Sequence, residues 1–89
     1  MAYVIIFSPE FQRDYKELNT ATQQLVKTKG ALLAQEPSHP FLKTHKLSGT
    51  LVGRFSCSVD YKIRIIFRFI EKNTIELLRV GDHGIYKKR

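Results

Sequence analysis

The segment RVGDHGIYKKR (79–89) sets a histidine, His83, and a tyrosine, Tyr86, three residues apart, just past a strand-like run that stops at Gly81. Both side chains are suited to moving protons. A second histidine, His45, stands between two lysines in KTHK (43–46), while His39, between Ser38 and Pro40, lies farther from the basic cluster. Between these histidine segments runs YKIRIIFRF (61–69), in which Lys62, Arg64 and Arg68 recur at even positions. On a strand they would share one face, on which successive side chains stand ~6–7 Å apart, a spacing that suits a phosphate-bearing ligand. Histidines beside a row of cations fit one reaction in particular. Metal-free cleavage of RNA needs a base to take the 2′-OH proton, an acid to protonate the leaving 5′ oxygen, and cations to hold the charge that develops on the phosphorus. Histidine titrates near neutrality and can take either proton role, so the residue types leave open which is acid and which is base. Tyr86 can donate a proton or stack on a base.

Other chemistries lack their residues. Three histidines without clustered carboxylates argue against a two-metal nuclease. There is no glycine-rich phosphate loop, no Ser/His/Asp set and no zinc spacing, so no metal and no cofactor is expected. The single cysteine, Cys57, excludes an internal disulfide. No apolar run approaches the ~20 residues of a membrane span, and the N-terminus lacks the marks of a signal peptide, so a cytoplasmic protein is expected.

Charge points to a polyanion. The net charge is +7. Residues 1–42 hold four basic and four acidic side chains, whereas residues 43–89 hold eleven basic and four acidic, so the second half carries the whole excess. A merely solubilising charge does not require such one-sided placement. Nucleic acid is the simplest partner.

These residues must be positioned by a small scaffold, and 89 residues imply one domain, 1–89, of at most two layers. AYVIIF (2–7) reads as a buried strand. Ser8 is a natural N-cap with Pro9 at the first helical position, and Phe11, Tyr15 and Leu18 then mark one helix face, which Asn19 ends. Thr20 and Gln23 have capping-box spacing for a second helix with the stripe Ala21, Leu25, Thr28 and Leu32, stopped by Pro37. The short turn between the two predicts an antiparallel helical hairpin. Residues 36–50 show no period and read as a long loop of the kind that carries function. From Phe55 the period becomes two: Phe55, Cys57 and Val59 alternate with Arg54, Ser56 and Ser58, then Ile63, Ile65, Phe67 and Phe69 with Lys62, Arg64, Ile66 and Arg68. Turns near Asp60–Tyr61 and at 71–73 precede a last strand, TIELLRV. The order β-α-α-β-β-β is an α+β fold: an antiparallel meander with an N-terminal strand and a helical hairpin on one face, the basic face left open.

The sequence also resembles a family. KLSGTLVGRFSCSV, YKIRIIFRF and LLRVGDHGIY, with the opening FSPEFQRDYKEL, are similar to the RelE/ParE superfamily of bacterial type II toxins, in particular its RelE-, YoeB- and YafQ-like branch, over almost the whole chain. The resemblance implies a microbial RNase fold and a ribosome-dependent mRNA endoribonuclease that cuts the A-site codon by 2′-OH attack. It also implies a cognate antitoxin that wraps the toxin in a hetero-oligomeric complex and masks its basic face. By that resemblance Arg64 stabilises the transition state, His83 is the general acid or base, Tyr86 is the C-terminal aromatic residue, and His45 falls where YafQ-like members carry a histidine. Lys43 and Lys46 fall where RelE uses lysines. With Arg54, Lys62, Arg68, Arg79, Lys87 and Lys88 they form the expected RNA- and ribosome-binding set. The sequence departs from the YoeB-like pattern in lacking a loop glutamate, since Lys43, His45 and Lys46 hold those positions. It also leaves the register of Arg79 against the RelE-like strand arginine open. Two alternatives share the charge pattern: a ParE-like inhibitor of DNA gyrase, and a non-catalytic ribosome- or nucleic-acid-binding module. The His83–Tyr86 pair argues against the gyrase inhibitor, which needs no proton shuttle.

Overall fold

Serine and proline start the first helix as expected. Ser8 keeps extended backbone geometry and its Oγ accepts the N–H of Phe11 at 3.0 Å, while Pro9 occupies the first turn, where a missing N–H costs nothing. The computed structural model describes residues 2–86, with His83 described by its backbone alone. Helix α1 (Pro9–Lys16) is followed by α2 (Thr20–Gln35). Tyr15 and Gln23 clip the two together: the Gln23 side-chain amide donates to the Tyr15 carbonyl at 2.8 Å, and the Tyr15 hydroxyl donates to the Gln23 carbonyl at 3.4 Å.

Two details of α2 differ from expectation. Its cap is Asn19, whose side chain accepts the Thr22 N–H at 2.8 Å, so Thr20 already lies inside the helix. Its inward stripe is also one residue on: Val26 and Leu33 are buried, whereas Leu25 is exposed. Val26 and Leu33 are seven residues apart and so lie on one side of the helix, with Leu32 partly buried beside them.

Among the described residues, five strands form one mixed sheet in the order β1-β5-β4-β3-β2: β1 (Val4–Phe7), β2 (His45–Lys46), β3 (Phe55–Ser58), β4 (Arg64–Ile70) and β5 (Thr74–Gly81). β1 runs parallel to β5 and the other pairs are antiparallel. The sheet is thus a small α+β layer with two helices, as the alternation predicts. β2 was not expected. Residues 36–50 are not a plain loop, because the 3-10 turn Pro40–Leu42 buries Leu42 and directs the chain back along β3, where His45 pairs with Ser56 and Lys46 with Phe55.

The opening apolar run is also not buried. β1 is an edge strand, and Val4, Ile6 and Phe7 are exposed. Ile5 and Phe7 instead line an apolar groove of about 520 Å³ with α1 and α2, so the run is apolar without being enclosed. The core lies between the helices and the sheet, where Phe11, Val26, Leu33, Cys57, Ile65 and Phe67 are buried together. No helix among the described residues is long and apolar enough to cross a membrane.

Candidate functional site

Paired residues across an antiparallel sheet share a face. His45, Ser56 and Ile66 form one such row across β2, β3 and β4, and Ser58, Arg64 and Gly81 form the next across β3, β4 and β5. This face is opposite the helical hairpin. It is not the open basic face that alternation suggests. Ile66 and Ser56 are buried at its centre, because the 3-10 turn His83–Tyr86 folds over them, and Ile66 and the buried Ile85 stand outside the main core. The Tyr86 hydroxyl lies 2.5 Å from Ser56 Oγ, which fixes the turn to the sheet. Gly81 permits this return of the chain: a Cβ there would stand 2.8 Å from Ile85 Cγ2.

Beside this turn lies a cleft of about 440 Å³ lined by His45, Leu47, Ser48, Leu51, Arg64 and Tyr86. Three of the four residues expected to act in chemistry therefore meet, from strands and a turn far apart in sequence. His45 and Arg64 are two strands and two residues apart, ~12 Å between backbones, which leaves room for a nucleotide between their side chains. His45 is exposed, and its Nδ1 lies 3.1 Å from the Lys43 carbonyl. A carbonyl only accepts, so this bond places the proton on Nδ1 and leaves Nε2 of the neutral ring as an acceptor. Lys43 supplies that carbonyl from a left-handed conformation, φ 51°, at the end of the Pro40–Leu42 turn.

Arg64 is half-buried, and its Nη1 donates to two main-chain carbonyls of the β3–β4 turn, Asp60 at 2.5 Å and Ile63 at 3.1 Å. The carboxylate of Asp60 faces the turn backbone instead, and the Ile63 N–H bound to it holds its carboxyl below the usual carboxylate range. No carboxylate lines the cleft among the described residues.

The remaining cations separate into groups. Arg54 belongs to the alternation of Ser56 and Ser58 and is half-buried at the start of β3. Lys43 and Lys46 are exposed beside His45. Lys62 is not on the strand: it lies in the turn before β4, where its N–H donates to Asp60 Oδ1, so the even-position row begins at Arg64. Arg68 is exposed and paired with Glu76 of β5 at 2.8 Å. Arg79 leaves the cleft altogether. Its Nε donates to Asp14 Oδ2 of α1 at 2.6 Å and its Nη2 to Asp14 Oδ1 at 3.2 Å; this bonding to Asp14 raises the guanidinium pKa further. His83 opens the 3-10 turn by its backbone, and its side chain lies outside the described residues, as do Lys87 and Lys88. Sequence reading passed over Ser56 and Asp60. The signal for Ser56 was its place in the Arg54–Ser56–Ser58 alternation, and for Asp60 its place four residues before Arg64 in the turn.

No known family profile matches the chain, and no curated protein matches it by sequence. Solved structures do match. YafQ from E. coli superposes with a TM-score of 0.80 at 20% identity, covering 97% of this chain and 99% of that one. The RelBE2 toxin–antitoxin complex of Mycobacterium tuberculosis contains a chain matching at TM-score 0.77 and 24% identity, over 93% of this chain and 100% of that one. The RelE–RelB complex of Pyrococcus horikoshii contains one at TM-score 0.75 and 19% identity, over 94% and 98%. The chain carries the RelE-like fold, and its structural neighbours are the RelE, YoeB, YafQ and ParE toxins.

Proposed function

We propose that residues 1–89 act as one unit, a cytoplasmic toxin of a type II toxin–antitoxin system that cleaves mRNA in the ribosomal A site without a metal. The observation that carries this reading is the single cleft lined by His45, Arg64 and Tyr86 on a RelE-like fold. In this reading Nε2 of His45 takes the 2′-OH proton. The 2′ oxygen bonds to phosphorus as the bond from phosphorus to the 5′ oxygen breaks, and the nitrogens of Arg64 that the turn carbonyls do not occupy hold the charge on the phosphoryl oxygens. His83 protonates the leaving 5′ oxygen, and Tyr86, fixed by Ser56, presents its ring to the flanking base. Arg54, Lys43 and Lys46 track the backbone on either side. Chains of this fold were crystallised with antitoxins in the M. tuberculosis and P. horikoshii complexes, which supports a cognate antitoxin as the partner here.

The test is mapping of mRNA 5′ ends after the purified protein is added to an in-vitro translation reaction, beside naked mRNA and the His83→Ala variant. Cuts in codon register on translated message only, weakened ~10²–10⁴-fold in the variant, are expected. Equal cutting by the variant removes His83 from the site. Absence of cuts in every lane, with supercoiling by gyrase inhibited, overturns the nuclease reading in favour of gyrase.

A further inference from the structure

We propose that Asp60 is a positioning residue for Arg64: it shapes the β3–β4 turn so that two carbonyls grip one guanidinium nitrogen and aim the rest into the cleft. The catalytic consequence rests on the nuclease reading above; the geometry does not.

Asp60 Oδ1 accepts two successive amide hydrogens, from Lys62 at 2.8 Å and Ile63 at 2.7 Å. An aspartate that binds the backbone two and three residues on closes a tight turn by imitating main-chain bonding. The Val59 N–H adds a bond to the Ile63 carbonyl at 2.8 Å, which locks the base of the turn. The carbonyls of Asp60 and Ile63 then converge on Arg64 Nη1. A free arginine side chain loses up to ~2 kcal/mol of rotamer entropy when it is fixed. Here that cost falls on the fold before any ligand arrives. Neither Nε nor Nη2 of Arg64 has a hydrogen-bond partner among the described residues. The unbound edge is the one that takes a phosphate in a bidentate manner. Asp60 itself does not line the cleft, so it acts through Arg64 and not on a substrate.

An aspartate could also act by charge alone, since its carboxylate stands near the guanidinium. Asparagine separates the two: it keeps the oxygen that accepts both amides and removes the charge. The experiment compares wild type, Asp60→Ala, Asp60→Asn, Arg64→Ala and the double variant Asp60→Ala/Arg64→Ala in the translation-coupled cleavage assay, with thermal melts to confirm folding. Asp60→Ala is expected to lower kcat roughly 10–100-fold with KM little changed, the scale set by a displaced catalytic group. Asp60→Asn restores most of the loss, and the double variant cuts no more slowly than Arg64→Ala alone. An asparagine variant as impaired as the alanine one, or a double variant whose losses multiply, overturns the proposal. The ¹⁵N guanidinium spectrum of Arg64 supplies a readout free of activity. Wild type and Asp60→Asn are expected to show hindered rotation at Nη1, and Asp60→Ala to lose it. If no variant cuts, including wild type, the nuclease reading fails, and an unchanged Arg64 spectrum in Asp60→Ala then refutes the positioning role by itself.

Discussion

Removing Asp14 should destabilise this protein far more than a surface ion pair would. Its carboxylate accepts from Arg79 Nε at 2.6 Å, from Arg79 Nη2 at 3.2 Å, and from the Val80 N–H at 3.0 Å. Side-chain exposure is 19% for Asp14 and 26% for Arg79, so the pair sits apart from the fully exposed pairs worth ~0.2–1 kcal/mol. Hydrogen bonds to charged groups are worth about 1.5–3 kcal/mol, and the Val80 amide would lose its acceptor as well. Asp14→Ala is therefore expected to cost about 2–3 kcal/mol. At ~4–8 °C per kcal/mol for a domain of this size, Tm falls by roughly 10–20 °C. The assay is a double-mutant cycle with Arg79→Met, melted in urea and by heat. A coupling energy of ~1–2 kcal/mol is expected, and one below ~0.5 kcal/mol would refute the reasoning. The same cycle tests where Arg79 works. Arg79→Met should leave the salt dependence of RNA binding unchanged, whereas Arg54→Ala should flatten its log–log slope by ~0.7, the value for one phosphate on a single strand.

Burial pushes the Cys57 thiol up to about 12 from an ordinary 9.0. As pH rises from 9 to 12 the unfolded thiol ionises and the folded one does not, so the unfolded state binds fewer protons and stability falls, by up to ~1.4 kcal/mol per pH unit. Denaturation at alkaline pH should show this slope in wild type and a shallower one in Cys57→Ala; equal slopes would place the thiol in contact with water. Gly81→Ala would bring a methyl to 2.8 Å from Ile85 Cγ2, overpacking that costs ~1–3 kcal/mol and lifts the turn carrying Tyr86 off Ser56. Melting and cleavage should fall together in that variant, and wild-type values for both would show that the turn does not depend on this contact.

Much of the scaffold was legible because its signals are local. Ser8 and Pro9 state the start of α1, and alternation from Phe55 to Phe69 states two strands and their turn. What was not legible depends on partners distant in sequence. AYVIIF has the composition of a central strand, yet β1 pairs on one side only, with β5; Tyr3 and Ile5 pack against the core while Val4, Ile6 and Phe7 stay exposed. Two residues, His45 and Lys46, carry no period of their own and become a strand because β3 offers its edge. At the candidate site, His45, Arg64 and Tyr86 were singled out by residue type, and the cleft brings them together. Ser56 escaped notice because a serine on the solvent phase of a strand is ordinary until a turn buries it.

The placement of the tail comes from one irregularity. Ile66 pairs with Arg79 but Phe67 pairs with Leu77, so Leu78 is an extra residue in β5, a bulge. Two bonds from the start of α1 hold it: the Ser8 N–H donates to the Leu77 carbonyl at 3.0 Å and Ser8 Oγ to the Leu78 carbonyl at 2.9 Å. Strict alternation from the buried Leu77 would send Gly81 toward the helices and Val80 away from them. With the bulge, Val80 takes the buried position opposite Ile65, and Gly81 pairs with Arg64 on the other face. A one-residue shift exchanges the two faces of everything that follows. That shift is what sends residues 82–86 over Ser56 and Ile66, beside the cleft, and not under the helical hairpin. The sequence marks the place with two adjacent leucines, Leu77 and Leu78, where period two allows one.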